Sequence, residues 1–297
     1  MANAKRSVAD RIKLDGYDAL FGASEGADAT EHIIEAPLGD LHDFKNHPFR
    51  VLDDEKMEET VESIRQYGVL VPGIARPRKG GGYEIIAGHR RKHASGLAGK
   101  ETMPVVVRHY SDDEATIIMV DSNIQREDIL ASEKAKAYRM KYEALKHQGK
   151  KAGGRTIEEM GEEAGESAKT VQRYIWLSRL SDGLLAMVDA KKLGFMQGLD
   201  ISFLDGEAQG WVFTALEENN SGINAAQSAK LKEYGKNGEL TSAMVKLILS
   251  EEKPKERRVT IKADKISQYF ESDYSNEDIE RIILELLEKW KGERTVR

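Results

Sequence analysis

The chain of 297 residues carries a net charge of −6, and 40% of its residues are hydrophobic and 32% are charged. This composition is typical of a helix-rich globular protein with enough chain for two or three small domains. The sequence shows no cysteine, no secretory signal and no long apolar run, which predicts a cytoplasmic location without membrane contact. The negative net charge argues against a protein that coats nucleic acid through bulk positive charge. Binding to nucleic acid would require positive charge concentrated on one small face.

The first half of the chain alternates between strand and helix patterns. Residues 1–30 predict a mobile tail that contains one possible helix, Val8 to Phe21, followed by a small, acidic stretch from Gly22 to Thr30. The pattern then predicts a strand at Ile33-Ile34, a helix from Asp54 to Tyr67, strands at 73–76, 83–87 and 104–108, and helices at 90–97, 112–123 and 132–147. These elements predict a small mixed α/β domain over residues 31–148.

The second half of the chain is predicted to be helical throughout. A glycine-rich stretch at 148–154 breaks the pattern and predicts a linker. We expect a helix-turn-helix domain over 149–215, a helical segment over 216–253 and a C-terminal helical region over 254–297. The apolar stripe of the last helix consists of Ile279, Ile282, Ile283, Leu286, Leu287 and Trp290. Such a stripe suits either a dimer interface or a small intrachain core, and the expected fold class is α+β.

The first candidate site is Gly88-His89-Arg90-Arg91, at the predicted junction of a strand and a helix. The first N–H groups of a helix lack intrahelical partners and favour anions, and guanidinium groups bind phosphate bidentately. The stretch therefore predicts a phosphate site, whereas a solvated basic helix face would contain the same residue types. His89 suits either a phosphate contact or an ordinary surface position.

The second candidate site spans residues 122–128, between two predicted helices. Asn123 offers a carbonyl oxygen to hydrated Mg²⁺ or an amide to phosphate, and Arg126 offers a guanidinium to phosphate. Both suit a nucleotide whose metal ion bridges its phosphates. An Asx turn that caps a helix is the alternative interpretation.

The third candidate site is a helix-turn-helix. Capping residues Thr156 and Ser167 predict two helices around a turn at Gly165, and Val171 and Ile175 are expected to be buried. The early exposed face of the second helix consists of Ser167, Lys169, Thr170, Gln172 and Arg173. No acidic residue occurs from 167 to 180, so this helix suits the major groove of double-stranded DNA. A plain helical hairpin is the alternative.

In this order, the motifs resemble the ParB/Noc family of DNA-partitioning proteins. The resemblance covers about residues 31–205 and rests on Pro48-Phe49-Arg50, on Tyr67 to Pro72 leading to Gly88 to Ala94, on Asn123 to Asp128, and on the helix-turn-helix. It implies that the N-terminal domain binds CTP and Mg²⁺, that the helix-turn-helix reads a palindromic site, and that a homodimer closes around DNA as a clamp. In placement only, the N-terminal tail resembles the family's segment that engages a ParA-type ATPase, with Lys5, Arg6 and Arg11 as the residues to test, and a disordered solubility tail is the alternative.

The resemblance also implies roles for individual residues. It implies nucleotide binding by Arg50, Gly88, His89, Arg90, Arg91, Asn123 and Arg126, a metal contact from Asn123, and DNA binding by the face of the second helix. The family commonly has Glu where this chain has His89 and Ser122, and in the family those carboxylates support metal binding and hydrolysis. We therefore expect nucleotide binding, whereas CTP hydrolysis stays open and no catalytic residue is assigned.

The expected function is that of a ParB-like, sequence-specific DNA-binding protein that partitions a plasmid, mobile element or chromosome as a CTP-gated clamp at the nucleoid or plasmid. Two alternatives stay open. One is a helix-turn-helix transcriptional regulator without clamp loading. The other is a nuclease or phosphotransferase built on the same N-terminal fold, which the lack of an acidic cluster for two-metal chemistry disfavours.

Overall fold

The computed structural model describes residues 33–126, 128–149, 154–219, 222–250, 263–266, 269–270 and 274–295. The predicted tail, with Lys5, Arg6 and Arg11, lies outside these residues. The chain divides into two compact units, Met1–Ser250 and Glu251–Arg297. Within the described ranges, no helix is both long and apolar enough to cross a bilayer.

Five short strands form one mixed sheet in the first unit. They are β1 (Ile33–Pro37), β2 (Leu41–Asp43), β3 (Gly73–Pro77), β4 (Tyr83–Ala87) and β5 (Thr102–Val107). Their order in the sheet is β1-β5-β3-β4-β2. The pairs β1–β5 and β3–β4 are antiparallel, whereas β3–β5 and β2–β4 are parallel. The strands predicted at 73–76, 83–87 and 104–108 are confirmed to within two residues at their ends.

Four helices belong to the same part of the chain. They are α1 (Glu55–Tyr67), α2 (His89–Leu97), α3 (Asp112–Asp121) and α4 (Ala131–His147). The side chain of Asp54 caps α1 by accepting a hydrogen bond from the Met57 N–H, and Gly68 ends the helix with a φ of +74°. A capping box between Ser111 and Glu114 opens α3. These caps satisfy backbone groups that a helix end leaves unpaired, which is why the sequence predicts these ends well.

The remaining described elements are helical. The first unit continues with α5 (Gly154–Ala164), α6 (Ala168–Leu177), α7 (Asp182–Asp189), α8 (Phe195–Ile201), α9 (Gly206–Asn219), α10 (Ala225–Asn237) and α11 (Ser242–Ser250), and the second unit contains α12 (Ala263–Ile266) and α13 (Asn276–Thr295). A mixed sheet region followed by helices is the predicted α+β class. The expected cap at Thr156 is wrong, because α5 already includes Gly154 and Thr156 is buried inside the helix.

One hydrophobic core joins the α/β region to the pair α5–α6. Ile86 of β4, Met119 of α3 and Tyr138 of α4 belong to the same cluster as Met160 of α5 and Val171 of α6. A separate cluster continues from α6 through the later helices to α11. The boundary predicted near residue 148 therefore separates two stretches of chain that pack on a common core.

Candidate functional site

A cavity of about 650 Å³ lies at the N-terminal ends of α1 and α4. Its lining includes Asp54 and Leu130, the N-cap residues of these two helices. Backbone N–H groups and the positive ends of helix dipoles favour anions at such positions. The volume falls within the range typical of small-ligand pockets. The cavity is therefore the place in the described chain that best suits an anionic small molecule.

Cations and carboxylates meet in this cavity in equal number. Its basic residues are Arg50, Lys56, Arg90 and Arg126, and its acidic residues are Asp54, Glu59, Asp128 and Glu133. The three arginines come from three separate places: the loop after β2, the first turn of α2 and the loop after α3. The tertiary structure thus brings together three of the residues that the sequence analysis assigned to the nucleotide.

Most cations of the cavity already hold a carboxylate. Arg90 Nη2 lies 3.0 Å from Asp54 Oδ1, and Lys56 Nζ lies 2.6 Å from Asp128 Oδ2. The hydrogen bond from Arg90 lowers the pKa of Asp54 below its ordinary value. These ion pairs already orient the Arg90 and Lys56 side chains. A phosphate that binds here has to take the place of the carboxylates as the hydrogen-bond acceptor.

Glu133 fixes Arg50 through two contacts. Its carboxylate accepts a hydrogen bond from the Arg50 backbone N–H at 2.9 Å and from Arg50 Nε at 3.2 Å. Glu133 also accepts from the backbone N–H of Leu130 at the start of α4. The sequence analysis did not assign Glu133 to the site. Its position three residues after the α4 N-cap was the available signal, because a carboxylate there faces the first turn of the helix.

Gly88 shapes the turn that presents Arg90. It has a φ of +109°, and a Cβ at this residue would lie 3.2 Å from the Gly73 Cα. A side chain would therefore meet both backbone strain and a close neighbouring strand. Gly88 does not line the cavity, so its role in this structure is to set the backbone from which Arg90 projects.

Arg91 points to a different part of the molecule. Its Nη1 donates hydrogen bonds to the backbone carbonyls of Val71 and Pro72, at 2.5 Å and 2.7 Å. It does not line the cavity, although the sequence analysis placed it beside Arg90 on the phosphate. Successive side chains on a helix project about 100° apart, and in this structure Arg91 holds the 71–72 loop.

His89 is also directed away from the cavity. Its ring stacks on His47 with centroids 3.9 Å apart, and both histidines line a second cavity of about 430 Å³. Burial and the neighbouring His47 lower the pKa of His89 to about 3. The imidazole is therefore neutral at physiological pH, and the structure does not bring it to the phosphate position that the sequence analysis expected.

Asn123 and Ser122 serve the end of α3. Asn123 Nδ2 and Ser122 Oγ both donate to the backbone carbonyl of Met119, at 2.9 Å and 3.0 Å. The side-chain oxygen of Asn123 faces the Arg126 guanidinium at 3.5 Å. Neither Asn123 nor Ser122 lines the cavity, so these contacts match the alternative interpretation of a helix-capping turn.

The described residues do not fit a protein-held magnesium ion. The Asn123 carbonyl oxygen faces a cation, and Mg²⁺ prefers carboxylate and water ligands in octahedral geometry. Across the described ranges, no group of three or more His, Asp or Glu side chains is placed to hold a metal ion. The expectation that Asn123 binds the metal has no geometric support here.

The pair α5–α6 forms a tight helical turn. Gly165 ends α5 with a φ of +71°, and a Cβ at Gly161 would lie 2.6 Å from the Glu166 carbonyl oxygen. The Ser167 side chain accepts a hydrogen bond from the Thr170 N–H and caps α6 as predicted. These contacts explain why glycine and serine occur at these positions, and they hold the two helices close together.

The exposed side of α6 is cationic. Lys169 is exposed, and Thr170, Gln172 and Arg173 are partly exposed. Neither Lys169 nor Arg173 forms an ion pair with any residue in the described part of the chain. Ser167 and Thr170 also hydrogen-bond to each other, so the groups available to an external partner are chiefly those of Lys169, Gln172 and Arg173.

Comparisons with known proteins find ParB and related proteins among those similar to parts of this chain. Residues 22–124 match the model of the ParB N-terminal domain. The nucleoid occlusion protein of Halalkalibacterium halodurans is 29% identical over 183 residues, which are 60% of this chain and 62% of that protein. The chromosome-partitioning protein Spo0J of Thermus thermophilus is 28% identical over 201 residues, which are 68% of this chain and 70% of that protein. The chain thus spans less than two thirds of the first relative's length.

Two solved structures of C-terminally truncated ParB from Caulobacter crescentus are also similar. The complex with the centromeric parS site matches with a TM-score of 0.42 and 23% identity, over 67% of this chain and 98% of that chain. The complex with CTP-γ-S matches with a TM-score of 0.30 and 28% identity, over 58% of this chain and 92% of that chain.

Proposed function

We propose that this chain, whose residues 22–124 match the model of the ParB N-terminal domain, is a DNA-partitioning protein of the ParB/Noc family that uses CTP as a conformational ligand. Its relatives are named for chromosome partitioning and nucleoid occlusion. In the proposal, the cavity at Arg50, Arg90 and Arg126 binds the triphosphate, and the exposed side of α6 binds double-stranded DNA.

One observation carries the nucleotide half of the proposal. Arg50, Arg90 and Arg126 project from three different elements into one cavity at the N-terminal ends of two helices. A single anion with several oxygens can contact all three arginines, and each guanidinium can bind it through two hydrogen bonds. A triphosphate meets this requirement, and the family resemblance implies that the base is cytosine.

The proposal includes neither hydrolysis nor a protein ligand for Mg²⁺. His89 is partly buried away from the cavity and Ser122 caps α3, so neither occupies the role of the carboxylate that the family commonly has there. A metal ion would enter only with the triphosphate. The ligand then acts by being bound rather than by being cleaved.

The DNA half of the proposal rests on charge and exposure. The side chains of Lys169 and Arg173 are accessible and lack ion-pair partners in the described chain, and Gln172 lies beside them with an amide that suits a base edge. A homodimer would place two copies of α6 on a palindromic site. The apolar side chains of α13, such as Leu286 and Leu287, are exposed in the second unit and suit a dimer contact.

The wider biological role follows from the same proposal. We assign the protein to the nucleoid or to a plasmid, where it would mark a DNA site for segregation. A ParA-type ATPase is the proposed partner of the tail that contains Lys5, Arg6 and Arg11.

A crosslinking experiment tests the proposal. The full chain, with cysteines introduced on α13 or on the exposed surface of the α/β region, is mixed with CTP, ATP, GTP or UTP, each with and without parS duplex or a scrambled duplex, and dimer crosslinking and released phosphate are measured together. We expect cysteines on α13 to crosslink with or without nucleotide, and cysteines on the exposed surface of the α/β region to crosslink most with CTP and parS, with little phosphate released. Binding to the parS duplex without any effect of nucleotide on crosslinking would indicate a helix-turn-helix transcriptional regulator that does not form a clamp. Metal-dependent DNA cleavage or phosphoryl transfer would indicate an enzyme.

A further inference from the structure

We propose that His47 and His89 form a positioning pair whose contacting rings hold the 47–50 segment so that Arg50 faces the nucleotide cavity. This inference rests on the proposed function, because it concerns how the same site acquires its affinity for a triphosphate. It assigns to His89 a role that does not involve contact with the nucleotide.

The two rings contact each other, and a hydrogen bond defines the tautomer of His47. Their centroids are 3.9 Å apart with an interplanar angle of 39°. His47 Nδ1 lies 2.8 Å from the Phe49 carbonyl oxygen, and since a carbonyl only accepts, Nδ1 carries the proton. The Nε2 atoms of His47 and His89 are both buried without a hydrogen-bond partner. A proton added to either Nε2 would therefore be a buried cation with no acceptor.

The same segment carries Arg50 to the cavity. Phe49 is only 3% exposed and packs edge-on against the His47 ring. One residue later, the Arg50 backbone N–H is held by Glu133. The Arg50 side chain is itself 57% exposed, so little of its own packing fixes it. The position of the Arg50 side chain therefore depends on its backbone. That backbone is held by the hydrogen bond from His47 to the Phe49 carbonyl and by the hydrogen bond from the Arg50 N–H to Glu133.

Charged side chains on the neighbouring elements act on this pair in opposite directions. Asp43 of β2 is paired with Lys92 of α2 at 2.7 Å, and its charge favours protonation of both rings, whereas Lys92 opposes protonation of His89. Arg126 opposes and Glu133 favours protonation of His47. His93, which lines the same cavity, is held by Asp53 at 2.7 Å.

Burial outweighs the acidic neighbours in both rings. Desolvation lowers the pKa of His47 below its ordinary value, although the Phe49 carbonyl and Asp43 act in the opposite direction. Desolvation and His47 lower the pKa of His89 to about 3. Both rings are thus neutral at physiological pH. Because burial in contact lowers their pKa values, acidification below the ordinary histidine pKa of about 6.5 favours states in which the rings separate and bind protons. We expect the 47–50 segment to loosen and nucleotide affinity to fall as the pH decreases.

The test is a double-mutant cycle on CTP binding by the full chain, measured by titration calorimetry at about pH 8 and about pH 5.5. His47→Ala and Arg50→Ala are each expected to weaken CTP binding about tenfold at the higher pH. Because His47 acts through Arg50, the double variant should be little weaker than either single variant. His109→Ala, which removes an exposed histidine elsewhere, serves as the control and should bind like the wild type.

His89→Phe provides a second readout that does not depend on the alanine variants folding. It keeps a flat ring against His47 and removes one titrating group. We expect CTP affinity within about twofold of the wild type at the higher pH and a smaller loss of affinity on acidification. Additive losses in the cycle, or an unchanged pH profile in His89→Phe, would overturn the positioning role. If the wild type binds no CTP under any of these conditions, both this inference and the proposed nucleotide site fail.

Discussion

Two cationic regions of this molecule differ in how their charge is held. In the cavity, Arg50, Lys56 and Arg90 each contact a carboxylate. On α6, Lys169 and Arg173 have no ion-pair partner within the described chain. A cation that already forms an ion pair is held in position by its carboxylate, and an incoming phosphate has to displace that carboxylate. An unpaired surface cation is mobile and hydrated, and it attracts any phosphate through an interaction that salt screens.

The two arrangements suit two kinds of phosphate ligand. A preorganised, charge-balanced cavity discriminates between ligands by geometry, which suits one small molecule. An unpaired cationic helix face gives fast, salt-dependent association, which suits a long polyanion. Helix α4 connects the two regions, because Glu133 lies in its first turn and its later turns pack against α6 through the common core. Because the cavity and the α6 face hold their cations differently, substitutions in the cavity should mainly affect nucleotide binding and those on α6 mainly DNA binding.

The largest effect is expected where the two regions join. Lys141 of α4 is 3% exposed and contacts Asp121 of α3 and Glu163 of α5, each at 2.5 Å. Lys141→Ala leaves two carboxylates facing each other in a partly buried place, and breaking such a pair costs about 3–5 kcal/mol of unfolding free energy. Urea denaturation measures this loss. Lys146→Ala, at an exposed position of the same helix, should change stability by less than about 1 kcal/mol.

The cavity should respond next. Arg90→Ala removes a charge-assisted contact to the triphosphate, which is worth about 1.5–3 kcal/mol and corresponds to roughly 10- to 150-fold weaker CTP binding. Calorimetric titration gives the dissociation constant. Arg65→Ala, an exposed arginine of α1 outside the cavity, is the matched control. Equal CTP affinity of the two variants would remove Arg90 from the site.

The face of α6 should respond in its salt dependence. Arg173→Ala or Lys169→Ala is expected to weaken DNA binding by about 1–3 kcal/mol if the residue reads a base, or to reduce the slope of log affinity against log salt by about one if it contacts phosphate. Fluorescence anisotropy with parS duplex at several salt concentrations separates the two outcomes. Lys236→Ala on α10 is the control, because it removes a basic residue outside the α6 face, and it should leave DNA affinity and the salt slope unchanged. Unchanged affinity and slope in both α6 variants would contradict the DNA assignment.

The smallest effect is expected at the cap of α6. Ser167→Ala removes the acceptor for the Thr170 N–H, and the loss of such a cap costs about 1 kcal/mol of unfolding free energy. Thermal unfolding measures the change. Ser167→Asp keeps an acceptor and should restore the stability. It also places a negative charge on the cationic face, so DNA binding should weaken even where stability recovers.

Much of the local structure was predictable because it depends on neighbouring residues. The cap at Asp54, the glycine at Gly68 and the Ser111–Glu114 capping box mark helix ends through short-range backbone hydrogen bonds. Thr156 shows the limit of such patterns. The same spacing occurs inside α5, where burial of the threonine replaces its capping role.

The site was predictable only in part because adjacent residues on a helix face different surroundings. The sequence by itself determined the order of elements, the helix caps, and the presence of a basic turn and a cationic α6, since local hydrogen bonding and side-chain type decide these features. Only the tertiary structure decided that Arg90 enters the cavity with Arg50 and Arg126, that Arg91 holds the 71–72 loop, and that the His89 ring packs against His47. The reason is that the direction of a helix residue is set by what packs around the helix, and those partners lie far away in the chain.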